Sequence, residues 1–99
     1  MPANPLKVFE TLDPELMKLM NNTRDFTLSE GVISRKHKFL MAMALDASHG
    51  SVGGVTSLAK LATEEGATKE EIAEALRVAM YISGAISVFT AGRALEDFF

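Results

Sequence analysis

Residues 39 to 45, Phe-Leu-Met-Ala-Met-Ala-Leu, lie inside a stretch of good helix formers, "RKHKFLMAMALDAS". A helix built from them is apolar on every face, so it must be buried all round or sandwiched between neighbours. The run is far shorter than the roughly 20 residues that span a bilayer, so its cover must be other protein. It is therefore expected at the centre of the fold, with Ser34 as its N-cap.

Nearly every other segment also reads as helix. In "TLDPELMKLM", Asp13 is a good N-cap, Pro14 suits the first helical position, and Leu12 and Met17 are placed as a hydrophobic staple across the cap. A helix from 14 to about 24 is expected, with Leu16, Met17 and Met20 on one side and "NTRDFTLSEGV" as a loop or single turn. A further helix runs from near Ser51 to Glu65, with Val52, Val55, Leu58, Ala59 and Ala62 at three- and four-residue spacing, and Gly66 ends it. In "GATKEEIAEAL", Thr68 and Glu71 form a capping box ahead of a stripe of Ile72, Ala75, Leu76, Ala79 and Met80. Ser83 and Gly84 break that helix. "AISVFTAGRALEDFF" then supplies a last one, with Val88, Phe89, Gly92, Leu95 and Phe99 on one face. No segment alternates as a strand does, so the expectation is an all-α, compact five-helix bundle in a single domain, residues 1 to 99.

Composition narrows the function classes. Hydrophobic residues are 47% of the chain, high for a small soluble domain, so some apolar surface is expected between subunits of a homo-oligomer. The net charge of −3, with ten Lys plus Arg, argues against a nucleic-acid or acidic-membrane partner. There is no cysteine, which excludes disulfides, thiolate nucleophiles and cysteine-bound metals together. Neither a membrane span nor a basic-then-apolar signal segment is visible, and a cytoplasmic location is expected.

Residues 58 to 77 have the outline of a DNA-binding helix-turn-helix, with Ala62 in the first helix, Gly66 in the turn and Ile72 packing the second. The second helix would have to enter a major groove. Its exposed positions are Lys69, Glu70, Glu71 and Glu74, with Glu64 and Glu65 just before, and that charge repels phosphate. Two packed antiparallel helices explain the spacing better.

The all-apolar helix, a small-residue helix start, the Gly-Ala-Thr-x-Glu-Glu-Ile signature at Gly66 to Ile72 and the break from Tyr81 to Ser87 come in an order that resembles the carboxymuconolactone decarboxylase and alkylhydroperoxidase D-like superfamily. The likeness is strongest over residues 30 to 99. It implies an all-helical fold assembled as trimers or hexamers. In the redox branch a Cys-x-x-Cys pair opens the third helix, a His follows, and a Glu upstream relays protons. Counting back from Gly66 places those cysteines at Ser51 and Gly54, the His at Leu58 and the Glu at Phe39. The decarboxylase branch is similar in carrying a His where Leu58 stands. This chain therefore resembles a divergent member without the redox pair or the catalytic imidazole, and no peroxidase or thiol oxidoreductase activity is expected.

What remains at the helix start is "HGSVGGVTSL", residues 49 to 58. A helix N-terminus stabilises an anion, so Ser51, Gly53 and Gly54 are candidates for binding a carboxylate or phosphate through free backbone N–H groups. Ordinary capping by Ser51 explains the same residue. His49 is a candidate acid, base or anion ligand, against the plainer role of a loop or C-capping histidine. Tyr81 could direct a hydroxyl into a pocket or simply pack. His37, between two lysines, reads as surface. Glycines within a helix cost about 1 kcal/mol each relative to alanine, which implies a close approach by another helix or a ligand. The six methionines read as core filler. No metal site and no cofactor are expected, since only two His are present and no carboxylates repeat beside them at ligand spacing. Two readings follow: a non-redox enzyme on a small anionic organic substrate, or a non-catalytic ligand-binding or assembly protein with Phe39 and Leu58 filling the old pocket.

Overall fold

The computed structural model describes residues 4–99, and among them the chain forms six helices. They are α1 (Phe9–Leu12), α2 (Pro14–Leu28), α3 (Arg35–Ser48), α4 (Val52–Glu64), α5 (Lys69–Ser83) and α6 (Ile86–Leu95). Five match the expected helices, and the additional one is the single turn α1 just ahead of Asp13. No described helix is long and apolar enough to cross a membrane.

The caps fall where the side chains dictate. Asp13 accepts from the Leu16 N–H at 3.0 Å, and Ser34 accepts from the His37 N–H at 3.2 Å. At Thr68 the capping box is complete: the hydroxyl accepts from Glu71 N–H, and the Glu71 carboxylate accepts from Thr68 N–H at 2.9 Å. The Glu71 carboxylate also takes the Lys36 ammonium at 2.9 Å, tying the start of α3 to the start of α5. The Thr68 backbone N–H, and after it Lys36, hold the Glu71 carboxyl below the usual glutamate range.

Helix ends are set by backbone as much as by side chains. Gly66, at φ +97°, closes α4: its N–H donates to the Thr63 carbonyl while the Ala67 N–H reaches back to Ala62. That paired arrangement needs a left-handed residue, and glycine adopts it without a Cβ penalty.

Helix α3 packs against α4, α5 and α6, which places it at the centre as expected. It is not covered all round, however. Phe39, Leu40, Met43 and Ala47 are buried, whereas Met41 and Leu45 are more than half exposed. The rest of the core is built largely from alanine: Ala59 and Ala62 on α4, Ala67 beyond it, and Ala91 and Ala94 on α6, with Val55 and Ile72 as the larger members. Such small side chains let the helices come close, and carbonyls of the approaching backbones find side-chain donors. Thr56 donates to the Ala94 carbonyl at 2.8 Å, and the buried Ser87 hydroxyl donates to Ala79.

Three local expectations need correcting. Helix α2 does not stop near residue 24 but continues to Leu28, with the Thr27 hydroxyl turned back onto the Thr23 carbonyl at 2.9 Å. The last helix ends at Leu95 rather than Phe99, and the chain closes on a turn in which the Phe98 and Phe99 rings stack at 4.9 Å. Its core face is also different. Ser87, Thr90, Ala91 and Ala94 face inward, while the bulkier Val88 and Phe89 are left outside. Close helix approach selects the small face, because a Phe there would hold α6 away from α3 and α4. Helices α1 and α2 have no fully buried residue; Leu28 packs partly buried against the core, and Leu12, Leu16, Leu19 and Met20 remain exposed.

Candidate functional site at the start of helix four

The connection from α3 to α4 is short and fully bonded. His49 is the C-cap of α3, and its N–H donates to the Leu45 carbonyl at 3.1 Å. Gly50 follows at φ +79°, its N–H on the Ala47 carbonyl, and the Ser51 N–H returns to Asp46 at 2.9 Å. Glycine is required at that left-handed position, and the doubled return delivers Ser51 to the first turn of α4. Backbone bonding thus fixes the site, while the Ser51 hydroxyl makes no capping bond.

The two helix glycines have different surroundings. A Cβ at Gly53 would meet nothing within 4 Å. A Cβ at Gly54 would collide with the Asp46 carboxylate, lying 2.7 Å from its Cγ, and would sit 2.8 Å from the Ser51 Oγ. Gly54 is therefore the space into which the half-buried Asp46 side chain projects from the last turn of α3. The close approach expected from the glycines is supplied, at this one position, by an acidic side chain. Sequence reasoning missed Asp46; the available signal was an acid eight residues before an otherwise costly glycine.

The remaining candidates are dispersed. His49 is exposed, and Tyr81, near the end of α5, is 84% exposed. No hydrogen bond among the described residues joins His49, Ser51 and Tyr81 to one another. His37 is exposed, with its Nδ1 2.6 Å from the Ser34 hydroxyl. Phe39, at the relay position, is 2% exposed beneath the Arg35 guanidinium, which lies 5.1 Å from the ring centroid. Leu58, at the imidazole position, is half-buried against the core. No group of three or more His, Asp or Glu among the described residues is arranged to hold a metal.

Two hollows lie elsewhere. An open groove of about 560 Å³ runs between α5 and α6, floored by Ala73, Ala91 and Gly92, and it is almost wholly apolar. A smaller one of about 290 Å³ lies between α2 and α3, bordered by Arg24, Asp25 and Arg35 with Phe39 and Leu61 beneath. Neither includes any of His49, Ser51, Gly53, Gly54 or Tyr81.

Comparison with known proteins gives a consistent picture. Residues 14–97 match the family described as the carboxymuconolactone decarboxylase family. Among solved structures the chain is similar to that of apo-lpg0406, a carboxymuconolactone decarboxylase family protein from Legionella pneumophila. The identity is 32%, the TM-score is 0.86, and the alignment covers 94% of this chain and 83% of the other. No curated protein matches significantly.

Proposed function

Since the chain belongs to the carboxymuconolactone decarboxylase family, we propose that it is a non-catalytic member, a self-assembling ligand-binding or structural protein that keeps the helical frame without its thiol and imidazole chemistry. One observation carries this reading: at the two positions where the resemblance puts a proton-relay carboxylate and an imidazole, Phe39 and Leu58 pack into the core as hydrocarbon. Neither side chain can take or give a proton, so general acid–base catalysis there has no agent. The absence of any cysteine removes the alternative nucleophile and reductant.

The competing reading is a non-redox enzyme acting on a small organic anion. It draws on the Ser51 hydroxyl, which is free of a capping bond, and on the exposed His49 beside it. Against it stands Asp46. Its carboxylate already lies at the first turn of α4, where it takes the favourable field that an incoming anion would use and repels that anion.

Three assays bear on these readings. Peroxide consumption coupled to a dithiol, and decarboxylation of carboxylated lactones, should both stay at the buffer rate; turnover in either overturns the proposal. In a thermal-shift panel of carboxylates and lactones, a midpoint rise lost in His49→Ala would favour the enzyme reading.

A further inference from the structure

We infer that the hollow between α2 and α3 binds one free amino acid with an apolar side chain. The Arg24 and Arg35 guanidinium groups take its carboxylate, the Asp25 carboxylate takes its ammonium, and Phe39 and Leu61 receive its side chain. The inference rests on the ligand-binding form of the reading above and adds to it the site and the class of ligand.

Three observations converge on this hollow. The first is its size and lining. At about 290 Å³ it lies at the lower end of the range for small-molecule sites, which is room for one molecule of amino-acid size. Its floor is hydrocarbon, since Phe39 is buried and Leu28 and Leu61 pack half-buried against the core. Its rim is ionic, with Arg24, Asp25 and Arg35. An apolar floor beneath a charged edge suits a small molecule with one end of each kind.

The second is the balance of charge. At the rim Arg24 pairs with Asp25 at 3.4 Å, and Arg35 pairs with Glu65 at 3.7 Å. Just beyond, the Lys38 ammonium donates to the Ser29 carbonyl at 2.8 Å, and the Glu30 carboxylate accepts from the Arg35 N–H at 3.2 Å. Cations and carboxylates around the hollow are therefore equal in number. A ligand of net charge gains little from such a rim, whereas a zwitterion brings one charge to meet each sign. The start of α4 is different, because Asp46 gives it a single sign.

The third is that the rim groups are available. Arg24, Asp25, Arg35 and Glu65 are all exposed, and exposed ion pairs contribute little, so each exchanges partner at small cost. The Arg35 guanidinium is also oriented in advance, 5.1 Å above the centre of the Phe39 ring. Among the described residues it donates no hydrogen bond, and its forked N–H groups match a carboxylate.

The test is an NMR titration of the isotope-labelled full chain with L-leucine, following the arginine Nε–H signals and the backbone amides of Leu28, Phe39 and Leu61. These signals should shift and saturate together. Isocaproate, which lacks the ammonium, and isoamylamine, which lacks the carboxylate, should each bind at least about tenfold more weakly. Arg24→Glu and Arg35→Gln change exposed side chains, so helix content by circular dichroism should hold while leucine affinity falls at least about tenfold. Asp25→Asn should weaken leucine and leave isocaproate unchanged, and His49→Ala should alter neither. Leucine that saturates no signal at the hollow up to about 10 mM, or isocaproate or isoamylamine that binds as well as leucine, overturns the inference and leaves the non-catalytic reading standing in its structural form. Conversion of bound leucine to a product during the titration overturns that reading and leaves the site in place.

Discussion

Replacing Gly54 with alanine measures what Asp46 does to the start of α4. Within a helix, alanine is favoured over glycine by about 1 kcal/mol, and Gly54 is the third residue of α4, so the gain available is at most of that order. Against it stands the overlap of the new Cβ with the Asp46 carboxylate, 2.7 Å from its Cγ, and the 2.8 Å approach to the Ser51 Oγ. Both side chains would have to leave their positions, and off-rotamer shifts of that kind cost about 0.5–1.5 kcal/mol each. The repulsive terms win, so Gly54→Ala should lose roughly 0.5–1 kcal/mol in wild type and come out near neutral in an Asp46→Ala background, where only the Ser51 contact remains, a coupling of about 0.5–1.5 kcal/mol. Urea unfolding followed by circular dichroism at fixed protein concentration resolves a difference of that size. Gly53→Ala is the internal control: with nothing near its Cβ, it should stabilise equally in both backgrounds. Equal stabilisation by Gly54→Ala with and without Asp46 would refute the argument that the glycine exists to admit the carboxylate.

Met43 is fully buried on α3, and Met43→Ala should cost about 2–5 kcal/mol in the same unfolding experiment; a loss below about 1 kcal/mol would show that the core collapses to fill the gap. Glu71 titrates lower in the folded chain than in the unfolded one, so its contribution to stability is present above the unfolded value and is lost as pH falls towards the lower folded value. Glu71→Gln should therefore flatten the acid limb of a stability-against-pH curve and leave its slope in the alkaline range untouched.

How much of this was legible in the sequence depended on how local the deciding interaction was. The start of α5 needed only Thr68 and Glu71, three residues apart, and the capping box forms as read. The starts of α2 and α3 were equally local at Asp13 and Ser34. The end of α2 was not, because Thr23, Asp25 and Thr27 are indifferent helix formers; packing of Leu28 against the core carries the helix on. Periodicity alone also misassigned α6. The face chosen for its bulk, Val88 and Phe89, is the outer one, since the inner face answers to how closely three helices must approach, which no single-helix pattern contains. At the candidate site, the glycines announced a close approach, but the identity of the approaching group, Asp46, depends on how two consecutive helices are set against each other.

The alanine-built interior leaves little tolerance to mutation in either direction. Shrinking Ala59, Ala62 or Ala91 to glycine costs about 1 kcal/mol of helix preference, and enlarging any of them to valine or leucine wedges apart helices already in contact, where adjacent positions cannot yield without moving backbone. Drift in such a protein is therefore confined to its rims and turns. At the start of α4 the exposed Val52 and Gly53 form such a rim, where new side chains can be tried while the scaffold beneath stays as it is.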